Sequence, residues 1–229
     1  AAPGARLTLA TMFVQSNDFF YAPSGSGIEL FENDGTPVTG DITSSFLLWD
    51  AGTEIDQEPG PGADQAPRQS GPDTGASDPD NTVRLASDDF GNLPAVADVI
   101  QVTIDATSET DFTVTIENVS NASSLSTSGG SVAVPLSPGV FVVHTEDDPL
   151  FTDGQPDRGE GWKPSPRTAF LPRWPPLWLH GPGSPYLWRL ACSPCTRWTD
   201  RSSPPARPTV EKGSKLWPRT AFLRRWPPR

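Results

Sequence analysis

The first 161 residues contain no lysine and no cysteine. Arg6, Arg68, Arg84 and Arg158 are their only basic side chains, set against 26 acidic ones, for a net charge of −22. Nucleic acid and anionic lipid are held through cationic side chains, so neither is an expected partner of this body, whereas cations are. So acidic a surface suits salty surroundings, where screening removes its self-repulsion, a hint of a halophile. Without cysteine the body has no disulfides and no thiol nucleophile. Histidine is nearly as scarce: His144 and His180 are too isolated to form a zinc set. No G-x-S-x-G elbow occurs among the many serines. These absences leave no expected catalytic residue. No apolar run approaches the roughly 20 residues that span a bilayer, so no membrane span is expected. The opening "AAPGARLTLATMF" lacks a Met start and the charged region of an export signal, as a truncated start would.

What is present reads as strands. "RLTLATMFV" (6–14) is β-rich and too apolar for a one-sided strand, which predicts burial on both faces. "GIELF" and "TPVTG" flank "ENDG", whose Asn33, Asp34 and Gly35 favour a hairpin turn. "SSFLLWD" predicts a strand ending at Asp50, and "VADVIQVTID", "DFTVTIENV", "SVAVPL" and "GVFVVHT" follow with turn residues between them. Between them lies a Gly-, Pro- and Asp-rich loop, 51–92, too polar to make a core; loops that long are usually functional or disordered. Seven or so short strands without helical periodicity predict an all-β antiparallel sandwich.

Two stretches place carboxylates just past the end of an expected strand: "SNDFF" (16–20) and "WDAGTEIDQE" (49–58). Hard cations use this arrangement, because Ca²⁺ takes six to eight oxygens and loops at one end of a sandwich can converge on it. Asp50 and Glu54, four apart around a Gly, can reach one ion if the loop curls. "DDPLFTDGQPDRGE" fails the EF-hand pattern: with Gly154 at the turn position, Pro149 and Phe151 fall where oxygen ligands belong. It reads as an acidic surface loop.

Residues 162–229 reverse the body's chemistry. They carry 13 Lys and Arg against Asp200 and Glu211, with seven of the eight Trp, 14 of the 27 Pro and both Cys, in "CSPC". Such a density of proline removes backbone donors and breaks helices, and the Trp residues follow neither the strand nor the helix period. This predicts a largely unstructured Pro/Arg/Trp-rich tail outside the core.

"LTLATMFVQSNDFFYAP", "LLWDAGTEIDQEPG" and "PAVADVIQVTI" together resemble the later half of a spondin N-terminal domain of secreted prokaryotic proteins, over about residues 6–106. "FTVTIENVSNASSL" and "PLSPGVFVVHTEDDPLF" resemble the opening strands of a second copy. The expected organisation is therefore 1–106 as the later half of one copy, 107–161 as opening strands that complete the sandwich in a permuted order, and 162–229 as tail. Read one base earlier, codons for both "WKPSPRTA" (162–169) and "SKLWPRTA" (214–221) permit Leu-Glu-Ala-Leu-Ala-Glu-Asp-Gly, which contains the short helix that ends the family's opening half. This predicts that the tail is a tandem-repeat segment translated out of frame. Its Trp content and CSPC spacing then carry no functional weight.

The resemblance implies a C2-like β-sandwich that binds Ca²⁺ at one end and serves extracellular adhesion. Its metal carboxylates fall on Asp18, Asp50 and Glu54. It also implies an extracellular or cell-surface location and matrix or cell-surface molecules as partners. Two classes of function follow: a non-catalytic, calcium-binding interaction module, or a metal-dependent hydrolase using the loop carboxylates with the metal as Lewis acid. The first is favoured, since catalysis would need a general base nearby and the body offers no histidine besides His144.

Overall fold

The computed structural model describes residues 1–71, 74–145 and 150–156, and the backbone of the strand 185–190. The described residues form an antiparallel β-sandwich with no α-helix, only three short 3-10 turns. No helix among them is long and apolar enough to cross a membrane.

β1 (Arg6–Met12) has five consecutive buried residues, as its two-sided apolar pattern requires. It is an interior strand, paired with β2 (Phe19–Pro23) along one stretch and with β3 (Ile28–Glu29) and β11 (Val140–His144) along others. β2 in turn pairs with β5 (Phe46–Asp50), which pairs with β6 (Arg84–Leu85), giving the sheet order β11-β1-β2-β5-β6. The second sheet contains β4 (Gly40–Asp41), β7 (Ile100–Ala106), β8 (Phe112–Asn118) and β12 (Pro185–Leu190), in the order β12-β8-β7-β4. β9 (Leu125–Thr127) and β10 (Gly130–Val132) form a separate small hairpin. Residues 111–145 thus form ladders with both 7–14 and 96–105, the pairings that a sandwich built across the two segments demands.

The core lies between the sheets. Leu7, Leu9, Phe13, Phe19 and Tyr21 from one side meet Ile100, Val102, Ile104, Phe112, Val114 and Ile116 from the other. The alternation of β8, buried at every second residue, is what one face on a core and one on solvent produces. Burying side chains of this size contributes about 1.5–3 kcal/mol each.

Two elements differ from expectation. The "ENDG" turn forms, with Glu32 N–H on Thr36 O at 2.8 Å and Gly35 at φ +85°. Beyond the bridge between Phe31 and Pro37 its arms part, Ile28–Glu29 joining β1 and Gly40–Asp41 joining β7, so the hairpin spans both sheets. The segment around Phe151 is not only an acidic surface loop. Phe151 is buried against Phe20 and Trp49, each with ring centroids 5.1 Å away, and covers the outer face of β2 and β5. Its neighbours Gly154 and Gln155 pair with Val83, which anchors β6.

Within the tail, Pro185–Leu190 form β12 on the edge of β8, so these six residues depart from the expectation of a tail apart from the core. The rest of the expected tail, including "CSPC" and both copies of the repeated phrase, lies outside the described residues, as do 146–149.

Candidate metal centre

The end of the first sheet where β2 begins and β5 stops gathers the acids. Phe19 pairs with Asp50, which places Asp18, one residue before β2, beside the chain leaving β5. Ser16 ties the turn before it: its hydroxyl donates to Phe13 O at 2.6 Å and accepts Phe19 N–H at 3.0 Å. After Asp50 the chain turns sharply at Gly52, φ +66°, where Asp50 Oδ1 accepts Gly52 N–H at 2.8 Å. A Cβ at Gly52 would stand 2.4 Å from Thr82 O, so only glycine allows this packing of the 51–54 turn on the segment leading into β6.

Asp18 holds the turn in place. Its Oδ2 accepts Thr53 N–H at 2.7 Å, Thr53 Oγ1–H at 2.5 Å and Glu54 N–H at 3.2 Å. Its other oxygen, Oδ1, is buried with no hydrogen-bond partner. One carboxylate oxygen each from Asp18, Asp50 and Asp56 lie within 4.8 Å of one another.

Of the expected ligands, Asp18 and Asp50 come together and Glu54 does not join them. Its Oε1 accepts Gly75 N–H at 2.7 Å and its Oε2 accepts from Asn17 Nδ2 at 3.2 Å, in a bridge that pairs Glu54 with Ser77. Glu54 thus fastens the long loop to the β1–β2 turn. Asp56, two residues on, takes the third place. Residues 57–68 of the loop are tied by polar side chains: fully buried Gln65 donates to Glu58 O at 2.6 Å and accepts Gly60 N–H at 3.1 Å.

A cation of the protein's own already faces the cluster. The β5–β6 register sets Arg84 opposite Asp50, with Nη2 2.6 Å from Asp50 Oδ2, near but not aligned as a hydrogen bond. The same nitrogen lies 3.0 Å from Asp78 and 3.4 Å from Asp56, and Nε donates to Asp89 at 2.8 Å. Burial works against the guanidinium's charge, but these carboxylates hold it charged, with its pKa raised.

One guanidinium does not neutralise five aspartates. Burial, then the charge of Asp18, pushes the Asp50 carboxyl up to about 8, against the pull of Gly52 N–H and Arg84. Burial, then the charges of Asp18 and Asp89, pushes Asp56 up to about 7. Near neutral pH the cluster therefore holds either protons or a further cation, and carboxylate oxygens are the ligands of hard divalent ions. Asp56 and Arg84 were the residues that strand-end reasoning passed over. The signal available for Arg84 was its rarity, one of four basic side chains in the body. No protein-family model, curated protein or solved structure matches the chain.

Proposed function

We propose that this chain is a non-catalytic, calcium-binding interaction module of spondin-like type, working outside the cell or on its surface. The observation that carries the reading is the convergence of Asp18, Asp50 and Asp56 within 4.8 Å, with Asp18 Oδ1 buried and unpartnered. Two ligands of one ion stand no farther apart than twice the metal–oxygen distance, about 5 Å for calcium, so these three oxygens fit one ion. Asp18, Asp50 and Asp56 would hold it, and the ion would supply the positive charge that Arg84 alone does not. Bound there, calcium ties the β1–β2 turn to the loop after β5 and stiffens that end of the sandwich. A stiffened rim of loops is where an adhesion module contacts a matrix or cell-surface molecule, and the resemblance of "SNDFF" and "DAGTE" to spondin motifs supports this role.

Thermal unfolding with chelator and with calcium tests it. A ligand that binds only the folded state stabilises it by about 2.7 kcal/mol at 100 times its dissociation constant. The wild type is expected to melt lower in chelator, and Asp50→Ala to melt low and respond little to calcium. A wild-type melt indifferent to both would overturn the proposal.

A further inference from the structure

The second sheet presents one long edge. β8 is paired on one side over its whole length by β7, from Ile100 opposite Asn118 to Ala106 opposite Phe112. Its other side would be a row of unpaired N–H and C=O groups, and the strand carries no proline, glycine or lysine to discourage a neighbour. The far edge of the same sheet, β4, is two residues long. A small apolar gap of about 10 Å³ lies between Leu7 and Leu9 of β1, Val114 and Ile116 of β8, and Val140 and Phe141 of β11.

β12 fills that edge. All six of its residues pair antiparallel with β8, from Pro185 opposite Glu117 to Leu190 opposite Phe112. Proline at the first position of a strand on a sheet edge is tolerated, because no ladder donor is lost in the middle. The occupant is joined to the rest of the body through 28 residues, 157–184. At about 3.3–3.6 Å per extended residue, a connection of that length reaches well beyond one domain. Strand addition works through main-chain hydrogen bonds and makes modest demands on sequence, so the pairing does not require that the tail was shaped for it.

We propose that the outer edge of β8 is a strand-accepting docking site, filled in cis by Pro185–Leu190 and, between molecules, by the same segment of a second copy. The exchange keeps every β8–β12 main-chain pair and changes only which chain supplies the strand, so it is a low-cost route to a dimer. A tethered segment competes at an effective concentration of ~1 mM, so the monomer prevails when dilute and the exchanged dimer grows as protein is concentrated.

Sedimentation of the full chain from micromolar to near-millimolar concentration, beside the full-length Leu187→Pro/Trp188→Pro variant, tests this. Adjacent N–H groups of a strand point to opposite sides, so the double substitution removes whichever faces β8. The wild type is expected to dimerise with concentration and the variant to remain monomeric. A synthetic peptide spanning residues 184–191 should bind the variant about tenfold or more tighter than the wild type, whose own strand competes. A dimer that persists in the variant, a wild type monomeric throughout, or a peptide that binds neither protein or both equally overturns the proposal. Should the variant not fold, amide hydrogen exchange of the wild type decides. The β8 amides that face β12 should exchange faster than those that face β7, and should slow as protein concentration rises. Equal or concentration-independent protection overturns it.

Discussion

Replacing Arg84 by glutamine removes the one positive charge that the described residues place among Asp50, Asp56, Asp78 and Asp89, while keeping a polar group on the stem. Asp50 is fully buried and the Arg84 side chain is 17% exposed, which puts their pair near the buried limit. Breaking such a pair by deleting one partner costs about 3–5 kcal/mol, because the charge left behind is uncompensated. The loss is limited by protonation. With folded pKa values near 8 and 7, already above the ordinary carboxylate value, Asp50 and Asp56 can discharge instead of repelling. Urea unfolding in chelator at about pH 8.5 should therefore show a loss of roughly 3 kcal/mol, shrinking at about pH 5.5 where both carboxyls are neutral. Calcium should restore more stability to Arg84→Gln than it adds to the wild type. One charge fewer opposes the incoming ion, and two unit charges about 4 Å apart interact by up to about 4 kcal/mol at an effective dielectric of 20, so affinity should rise at least about tenfold. A variant as stable as the wild type in chelator at high pH would refute the buried-pair argument. One that no longer responds to calcium would refute the view that Arg84 competes with the ion.

Three further outcomes follow from the packing and the charges. Because the folded pKa values of Asp50 and Asp56 are raised, the native state holds more protons than the unfolded chain between about pH 4 and 8. Stability in chelator should fall as pH rises through that window, and Asp56→Asn, or saturating calcium, should flatten the fall in a urea series. Tyr21 is fully buried with an unpartnered hydroxyl, a group whose burial costs about 1–3 kcal/mol, so Tyr21→Phe should melt at or above the wild-type temperature. A clearly lower melt would show that the hydroxyl is satisfied. Phe151→Ala should cost about 3 kcal/mol in chemical denaturation and shift Trp49 fluorescence, since the ring covers Trp49 and Phe20. An unchanged emission would mean that the segment does not dock.

The strands that carry the core were legible because their periods were. β1 read as two-sided and is interior to its sheet, and β8 read as a strand and alternates buried with half-buried residues. Asp18 and Asp50 were legible as carboxylates at strand ends, one residue before β2 and at the last position of β5. The third member of the cluster was not, because Glu54 is drawn away by Gly75 N–H and Asn17 Nδ2, contacts from distant positions that no local pattern encodes. Arg84 lies 34 positions beyond Asp50 and reaches it through the β5–β6 register, a long-range pairing across a polar loop. Phe151 was hidden in an acid-rich stretch, and β12 among prolines that argue against a strand. In both cases a tertiary partner, the outer face of β2 and β5 or the edge of β8, overrides local composition.

Calcium titration by calorimetry, comparing wild type, Asp18→Asn and Glu54→Gln at about pH 8, where Asp50 and Asp56 lose their protons, bears most directly on the account. One ion per chain for the wild type, lost in Asp18→Asn and kept in Glu54→Gln, is the predicted result. No calcium heat from the wild type, or binding unaffected by Asp18→Asn, would contradict it.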